Sequence, residues 1–382
     1  MIRFLVLFLC LFSRLTFAEN LPHTCSGQEN CILYHPTCLE DFESRYRLEG
    51  TLDNDSDFGM VFLVRKKGDA ETDYVVKMIP VVSDKLIQFY DHSDSSTQHE
   101  LEHKYKLKEK FIHYSIFKDK NGNPQDLPKD EIFVSQKLSD LVLAHEALNF
   151  PILEDVFECD FILKKQKTGL RYLQHPIPNF REMHWYYTVV KKHKMWSKIL
   201  IHKEDLDKFR ENQDLLLFSL RYSLYKSWEK YGFVHGDILN GTGNNLFYDL
   251  EHHKEKYIVF PFEDKFYKFE IKNQQIPLLL LFDFSFADMT QFKKFKKVPT
   301  QSVSAYPIGD SKSTEHKRTT DIQGINDVLA SILGAHKDYI PQLSTTQNRD
   351  LVASFPAKAM TQHEFEEWKK TVHESEILRI VD

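Results

Sequence analysis

The chain has 382 residues, 42% of them hydrophobic and 13% aromatic, a composition that supports a substantial buried core and excludes overall disorder. Its 50 Lys and Arg residues against 56 Asp and Glu leave a formal charge of −6, which excludes the global basic footprint of a dedicated nucleic-acid binder. No nucleic-acid partner is expected, and the length suits either one large unit or two domains.

Residues 1–18 read as a signal peptide: Arg3 precedes an apolar run from Phe4 to Phe12, and Thr16 and Ala18 offer small residues for cleavage before Glu19. The expected location is therefore the secretory-pathway lumen or the outside of the cell. The apolar run is far shorter than the ~20 residues a bilayer needs, and Arg14 interrupts it, so no stable membrane insertion is expected. Removal of this segment takes Cys10 with it. Cys25, Cys31, Cys38 and Cys159 remain, an even number for an oxidising compartment, with three pairings possible. Residues 19–40 form a Cys- and Pro-bearing extension.

From about Asp41 the pattern turns to short strands. Tyr46–Thr51, Met60–Lys66 and Thr72–Pro80 are rich in branched and aromatic residues and are separated by turn-forming Asp, Asn, Ser and Lys-Gly-Asp, which predicts a small meander. Pro128–Ala147 spaces its apolar residues as a helix, His184–Val190 reads as a strand, and Gln213–Tyr231 repeats Leu, Phe, Tyr and Trp as a buried helix does. Tyr257–Ile271 predicts a hairpin turning at Glu263–Lys265. Leu278–Phe284 is a continuous apolar run fit for a buried strand that carries Asp283 near its end.

Charged residues stand at the ends of these elements in a consistent order. Phe58-Gly59-Met60-Val61 is followed by Tyr74-Val75-Val76-Lys77, and Glu131 lies on the next long helix. Phe233-Val234-His235-Gly236-Asp237 follows the apolar helix, Asn244-Asn245 precede Leu246-Phe247-Tyr248, and Asp283 sits in Phe282-Asp283-Phe284-Ser285-Phe286-Ala287. A carboxylate placed directly after the apolar run at 278–282 is costly to bury without a cation or donors beside it. Taken together the set resembles the protein kinases: the end of a glycine-rich loop, the phosphate-pairing lysine strand, the helix glutamate, the catalytic H-x-D and the metal-binding D-F-G segment. Lys129–Leu141, the Tyr257–Ile271 hairpin and the lack of an A-P-E motif after Asp283 are similar to the haspin-type kinases. The resemblance covers about residues 45–335.

This resemblance implies an α+β, two-lobed protein kinase-like fold, with a small antiparallel-sheet lobe over 41–190 bearing one key helix and a mostly helical lobe over 191–382. It implies ATP-dependent phosphoryl transfer to Ser or Thr hydroxyls of a protein substrate, with ATP and Mg²⁺ (or Mn²⁺) as cofactors. Lys77 would hold the α- and β-phosphates, with Gly59 and Val61 beside it at the nucleotide, and Glu131 would orient Lys77. Asp237 would accept the hydroxyl proton, Asp283 and Asn245 would bind the metal, and Asp321 would support the catalytic loop.

The sequence also departs from the family pattern. Of the glycine-rich loop only Gly59 remains, preceded by the acidic run Asp53-Asn54-Asp55-Ser56-Asp57. Asn245 comes eight residues after Asp237, with Thr242 at the usual place, while Gly236 replaces the H-R-D arginine and Ser285 the D-F-G glycine. These departures keep two alternatives open: a pseudokinase acting as a binding scaffold, and a small-molecule kinase of the aminoglycoside or choline phosphotransferase type. Asn54-Asp55-Ser56 and Asn240-Gly241-Thr242 are glycosylation sequons. Two basic runs, Lys191-Lys192-His193-Lys194 and Lys293–Lys297, read as solvated faces or as docking patches for an acidic partner.

Overall fold

The computed structural model describes residues 38–53, 60–69, 72–82, 92–99, 127–159, 162–166, 169–173, 183–195, 203–236, 238, 245–282, 284, 287–292, 352–353 and 355–380. The expected signal peptide and most of the extension that follows it lie outside these residues. In chain order the first elements are α1 (Cys38–Arg45), β1 (Tyr46–Asp53), β2 (Met60–Lys66), β3 (Asp73–Val82), α2 (Leu127–Leu143), β4 (Leu153–Cys159), β5 (Ile162–Gln166), β6 (Gly169–Leu173), β7 (Met183–Lys191) and β8 (Lys194–Met195). Then come α3 (Lys203–Glu211), α4 (Gln213–Tyr231), β9 (Phe233–Val234), β10 (Leu246–His252), β11 (Tyr257–Phe262), β12 (Lys265–Glu270), β13 (Gln275–Leu281), β14 (Asp288–Met289), β15 (Ala359–Thr361), α5 (Gln362–Lys369) and β16 (Ile377–Arg379). The chain is α+β, and among the described residues all sheet pairings are antiparallel except that of β11 with β16.

The first sheet has the order β1-β2-β3-β7-β4. Successive side chains on a strand point to opposite faces, and the two faces meet different helices. Ile79, Leu153, Val156 and Tyr186 pack with Ile132 of α2, whereas Phe157 and Tyr187, the next residues on β4 and β7, pack with Phe42 of α1 at 5.4 and 5.9 Å between ring centroids. The sheet is thus held between α1 and α2.

Although β1 and β4 are opposite edges of this sheet, Tyr46 and Arg45 both reach Asp155. The Tyr46 hydroxyl donates to Oδ2 and the Arg45 guanidinium to Oδ1, each at 2.6 Å. Burial, followed by the charge of Asp155, pushes the Tyr46 hydroxyl far above its usual range, so it remains a neutral donor. Such cross-edge contacts require the sheet to curl strongly over α1, in the sense that strand twist favours.

The second part is built around α4, whose residues Leu215–Ser223 are all buried. A helix buried all round over that length must be covered on every side. The β11–β12 hairpin supplies one cover, with Phe260, Tyr267 and Phe269 within 5.1 Å of the Phe218 ring. Sheet β13-β10-β8 adds Leu278–Leu281 to the same core. The hairpin is extended on both sides by β15 and by the parallel strand β16, giving the order β15-β12-β11-β16. Here α5 stacks Phe365 on Phe266 at 4.2 Å, and its start is fixed by a capping box between Thr361 and Glu364.

Most predicted elements recur with shifted ends. The hairpin closes at Phe262 and Lys265 as expected, with Glu263 at φ 55°. The long helix stops at Leu143 rather than Ala147, because His145 adopts φ 57°, a left-handed conformation that cannot continue a helix. The buried strand expected at Leu278–Phe284 instead spans Gln275–Leu281. Its length is set by its partner, since the ladder with β10 runs from His252↔Gln275 to Leu246↔Leu281 and ends there.

Replacing Asp155 with Ala leaves the buried Tyr46 hydroxyl without its acceptor and Arg45 without that carboxylate; chemical denaturation is expected to show a loss of about 1–3 kcal/mol. The combined change with Tyr46→Phe is expected to cost less than the sum of the two single changes, as contacting partners do.

Candidate functional site

Lys77 and Ile79, alternate residues of β3, face α2. Lys77 stands in register with Val61 on β2 and Thr188 on β7, and its ammonium donates to the Glu131 carboxylate at 2.6 Å. The Glu131 side chain is 7% exposed and that of Lys77 22%, so this pair sits largely out of water. A glutamate at that depth needs a cation beside it, and Glu131 also lies near the α2 N-terminus, where the helix dipole favours negative charge. Val61, Lys77 and Glu131 therefore form one group, and the contact expected between Lys77 and Glu131 is formed.

A second group assembles where α4 ends. Gly232 caps the helix at φ 64°, and a Cβ there would lie 2.0 Å from the Thr290 hydroxyl oxygen. Glycine is required on both counts, and it lets β9 turn directly into a two-strand pairing with β14. After β9 comes His235, fully buried, whose Nε2–H donates to the Phe282 carbonyl at 2.7 Å. Its ring also meets Phe284 edge-on at 5.6 Å. The Phe282 amide donates to the Asn245 carbonyl at 2.9 Å, so the backbone of Phe282 is held from both sides. Gly236 has φ 84°, a left-handed conformation that favours glycine and gives a backbone reason for the residue found where arginine was the expectation.

Asn245 thus joins Phe282 and His235. Gly59, Asp237, Asp283 and Asp321 lie outside the described residues, as do both sequons and Lys293–Lys297. In sequence, Asp237 is two residues from His235 and Asp283 is one from Phe282.

Two ties connect the groups. One is Asn149, fully buried in the link between α2 and β4: its amide donates to the Leu279 carbonyl at 2.7 Å and its Oδ1 accepts from Ser223 of α4 at 2.9 Å. The other is Asp249 on β10, within 3.1 Å of His193 and 3.2 Å of Lys191 at the end of β7. Burial opposes the Asp249 charge, but the His193 ring and the Lys191 ammonium prevail and hold the carboxyl down at about 2. Lys192 pairs with Asp73 at 3.5 Å. Lys191, Lys192 and His193 of the run Lys191–Lys194 are thus engaged by the chain's own carboxylates.

Neither Asn149 nor Asp249 was apparent from motif spacing. A signal for Asn149 existed, since it is a lone amide inside the apolar run Ala147–Pro151, and a buried amide must find partners. The Asp249 contact joins residues more than fifty positions apart and leaves no local trace.

Comparison with protein-family models gave no match, and comparison with curated proteins found no significant relative.

Because the Asp249 carboxyl is held below the ordinary value near 4, the stability it contributes is complete above that value and is lost as pH falls toward about 2. Asp249→Asn is expected to lower stability at neutral pH and to flatten its decline between about pH 4 and 2, read from urea midpoints across that range.

Proposed function

We propose that this chain is a two-lobed, protein kinase-like enzyme of the haspin-like type that transfers the terminal phosphoryl group of ATP to Ser or Thr hydroxyls of a protein substrate. We place it in the secretory pathway or outside the cell, on the strength of residues 1–18. The observation that carries the reading is the Lys77–Glu131 ion pair, formed between the central strand of a five-stranded antiparallel sheet and the helix packed on its face. A cation steadied by a buried carboxylate, with its own side chain partly open to water, suits the anionic phosphates of a nucleotide.

The donor set suits a hard divalent cation: Asp283 would supply a carboxylate and Asn245 an amide oxygen, and the Asn245 carbonyl accepts from the amide of Phe282, the residue before Asp283 in the sequence. Mg²⁺ or Mn²⁺ held there would neutralise charge on the transferring group. Lys77 binds the phosphates and Glu131 keeps the ammonium aimed. Asp237, two residues beyond the buried His235, accepts the proton of the incoming hydroxyl. His235 acts at one remove, fixing the Phe282 carbonyl and with it the chain that leads into Asp283.

A scaffold role is the second reading, favoured by the acidic run Asp53–Asp57 in place of loop glycines and by the displacement of Asn245. Transfer of labelled phosphate from ATP to a protein mixture separates the two. The mature protein is expected to be active with Mg²⁺ or Mn²⁺, and Lys77→Ala or Asp237→Asn to lose about 10²-fold or more, in the range that loss of a positioned acid–base group brings. Absence of transfer by wild type, together with Mg-ATP stabilisation in thermal unfolding that disappears in Asp283→Ala, would leave a nucleotide-binding scaffold instead.

A further inference from the structure

Three pieces of chain carry the proposed chemistry, and Asn149, in the link that follows the first of them, is hydrogen-bonded to the other two. α2 brings Glu131 to Lys77 and ends at Leu143, and the link from there to Asn149 is held to the helix end by the Glu146 and Ala147 amides, which donate to the Leu141 carbonyl. α4 leads through β9 to His235 and Asp237, and its Ser223 donates to Asn149 Oδ1 at 2.9 Å while accepting from the Leu148 and Asn149 amides at 3.1 and 3.3 Å. β13 leads to Phe282 and Asp283; its Leu279 carbonyl accepts from Asn149 Nδ2 at 2.7 Å, and the Leu281 amide donates to the Asn149 carbonyl at 3.0 Å. Both heteroatoms of one fully buried amide, its own backbone N–H and its own carbonyl are thus engaged by two different elements.

An amide in such a setting does more than fill space. Each of these groups is satisfied only if the link after α2 keeps one offset to both α4 and β13, because the partners come from two different elements and the side chain is fully buried. Aliphatic packing alone tolerates sliding of the kind a directional hydrogen bond forbids. The offset in question sets how far the Lys77 ammonium stands from the chain end that enters Asp283.

We infer that Asn149 is a positioning residue for the phosphoryl-transfer site, one that fixes the separation between the Lys77–Glu131 pair and the Phe282–Asp283 segment without touching substrate. This rests on the phosphoryl-transfer reading. Misplacement by about 1 Å of groups that must act together can cost on the order of 10²-fold in rate. The loss falls on the metal-dependent step, because Lys77 and Val61 keep their places on the sheet.

The test compares wild type, Asn149→Ala and the gentler Ser223→Ala, each first shown by circular dichroism to be folded at the assay temperature. In both variants kcat is expected to fall about ten- to a hundred-fold, the Mg²⁺ concentration for half-maximal rate to rise, and KM for ATP to change less than about three-fold. The double variant is expected to be no worse than Asn149→Ala, because the two side chains act as one unit. A purely structural role would lower the unfolding temperature and leave kcat and the Mg²⁺ requirement of the folded protein unchanged, and that result would overturn the inference.

Hydrogen exchange separates failure of the inference from failure of the underlying reading. Asn149→Ala is expected to speed exchange in α2 and at the amides of Leu281 and Phe282 together. Confinement of the change to residues 148–150 would refute the coupling, whether or not wild type transfers phosphate. Should wild type transfer none, the catalytic part falls with the reading it rests on, and exchange alone then decides the coupling.

Discussion

A carboxylate withdrawn from water has to be met by a positive charge or by donors, and Glu131 is such a carboxylate. Its partner, Lys77, lies on a strand more than fifty residues earlier, so α2 can bury its inner face against the sheet only in the one register that brings the two together. Ile132 then falls on Ile79, Val156 and Tyr186, and the helix ends where Asn149 can enter the gap between α4 and β13. Desolvation is unforgiving here, since an uncompensated charge at this depth costs several kcal/mol. The electrostatic requirement thus sets the geometry that the apolar contacts then fill.

The second part of the chain is organised by a different constraint. Its central helix is buried on all sides, so strands must be gathered around it from distant positions, and each arrives with polar backbone to satisfy. The short pairing of β9 with β14, the capture of the Phe282 backbone by His235 and Asn245, and the pairing of β10 with β13 are solutions to that demand. They converge on the chain around 232–238 and 282–289, where the charged motifs lie.

Much of this was legible in the sequence. Val, Leu and Tyr in strand-length runs between turn residues gave β2 and β3 nearly to the residue, the apolar run Gln213–Tyr231 gave α4, and the order of Lys77, Glu131 and His235 anticipated which segments would meet. The start of β13 was not legible, because Gln275 is polar and only the partner strand assigns it to the ladder. β15 and β16 are too short for periodicity to mark and are defined by the open edges of the β11–β12 hairpin, while α5 leaves only the Thr361–Glu364 capping box as a local signal. Asp249 and Asn149 escaped for the same reason, since their meaning lies in partners brought near by the fold.

The parallel pairing of β16 with β11 bears on how the protein is made. Tyr257 is matched with Ile377, a separation of 377 − 257 = 120 positions. At a synthesis rate of about 5–20 residues per second, the hairpin emerges several seconds before the strand that covers its edge. During that interval β11 presents unpaired amides and carbonyls in an apolar setting, a state open to intermolecular strand addition. Chaperone demand during biogenesis is therefore concentrated on one strand edge in the later half of the chain, while the first sheet, whose strands all lie before residue 192, can already be complete.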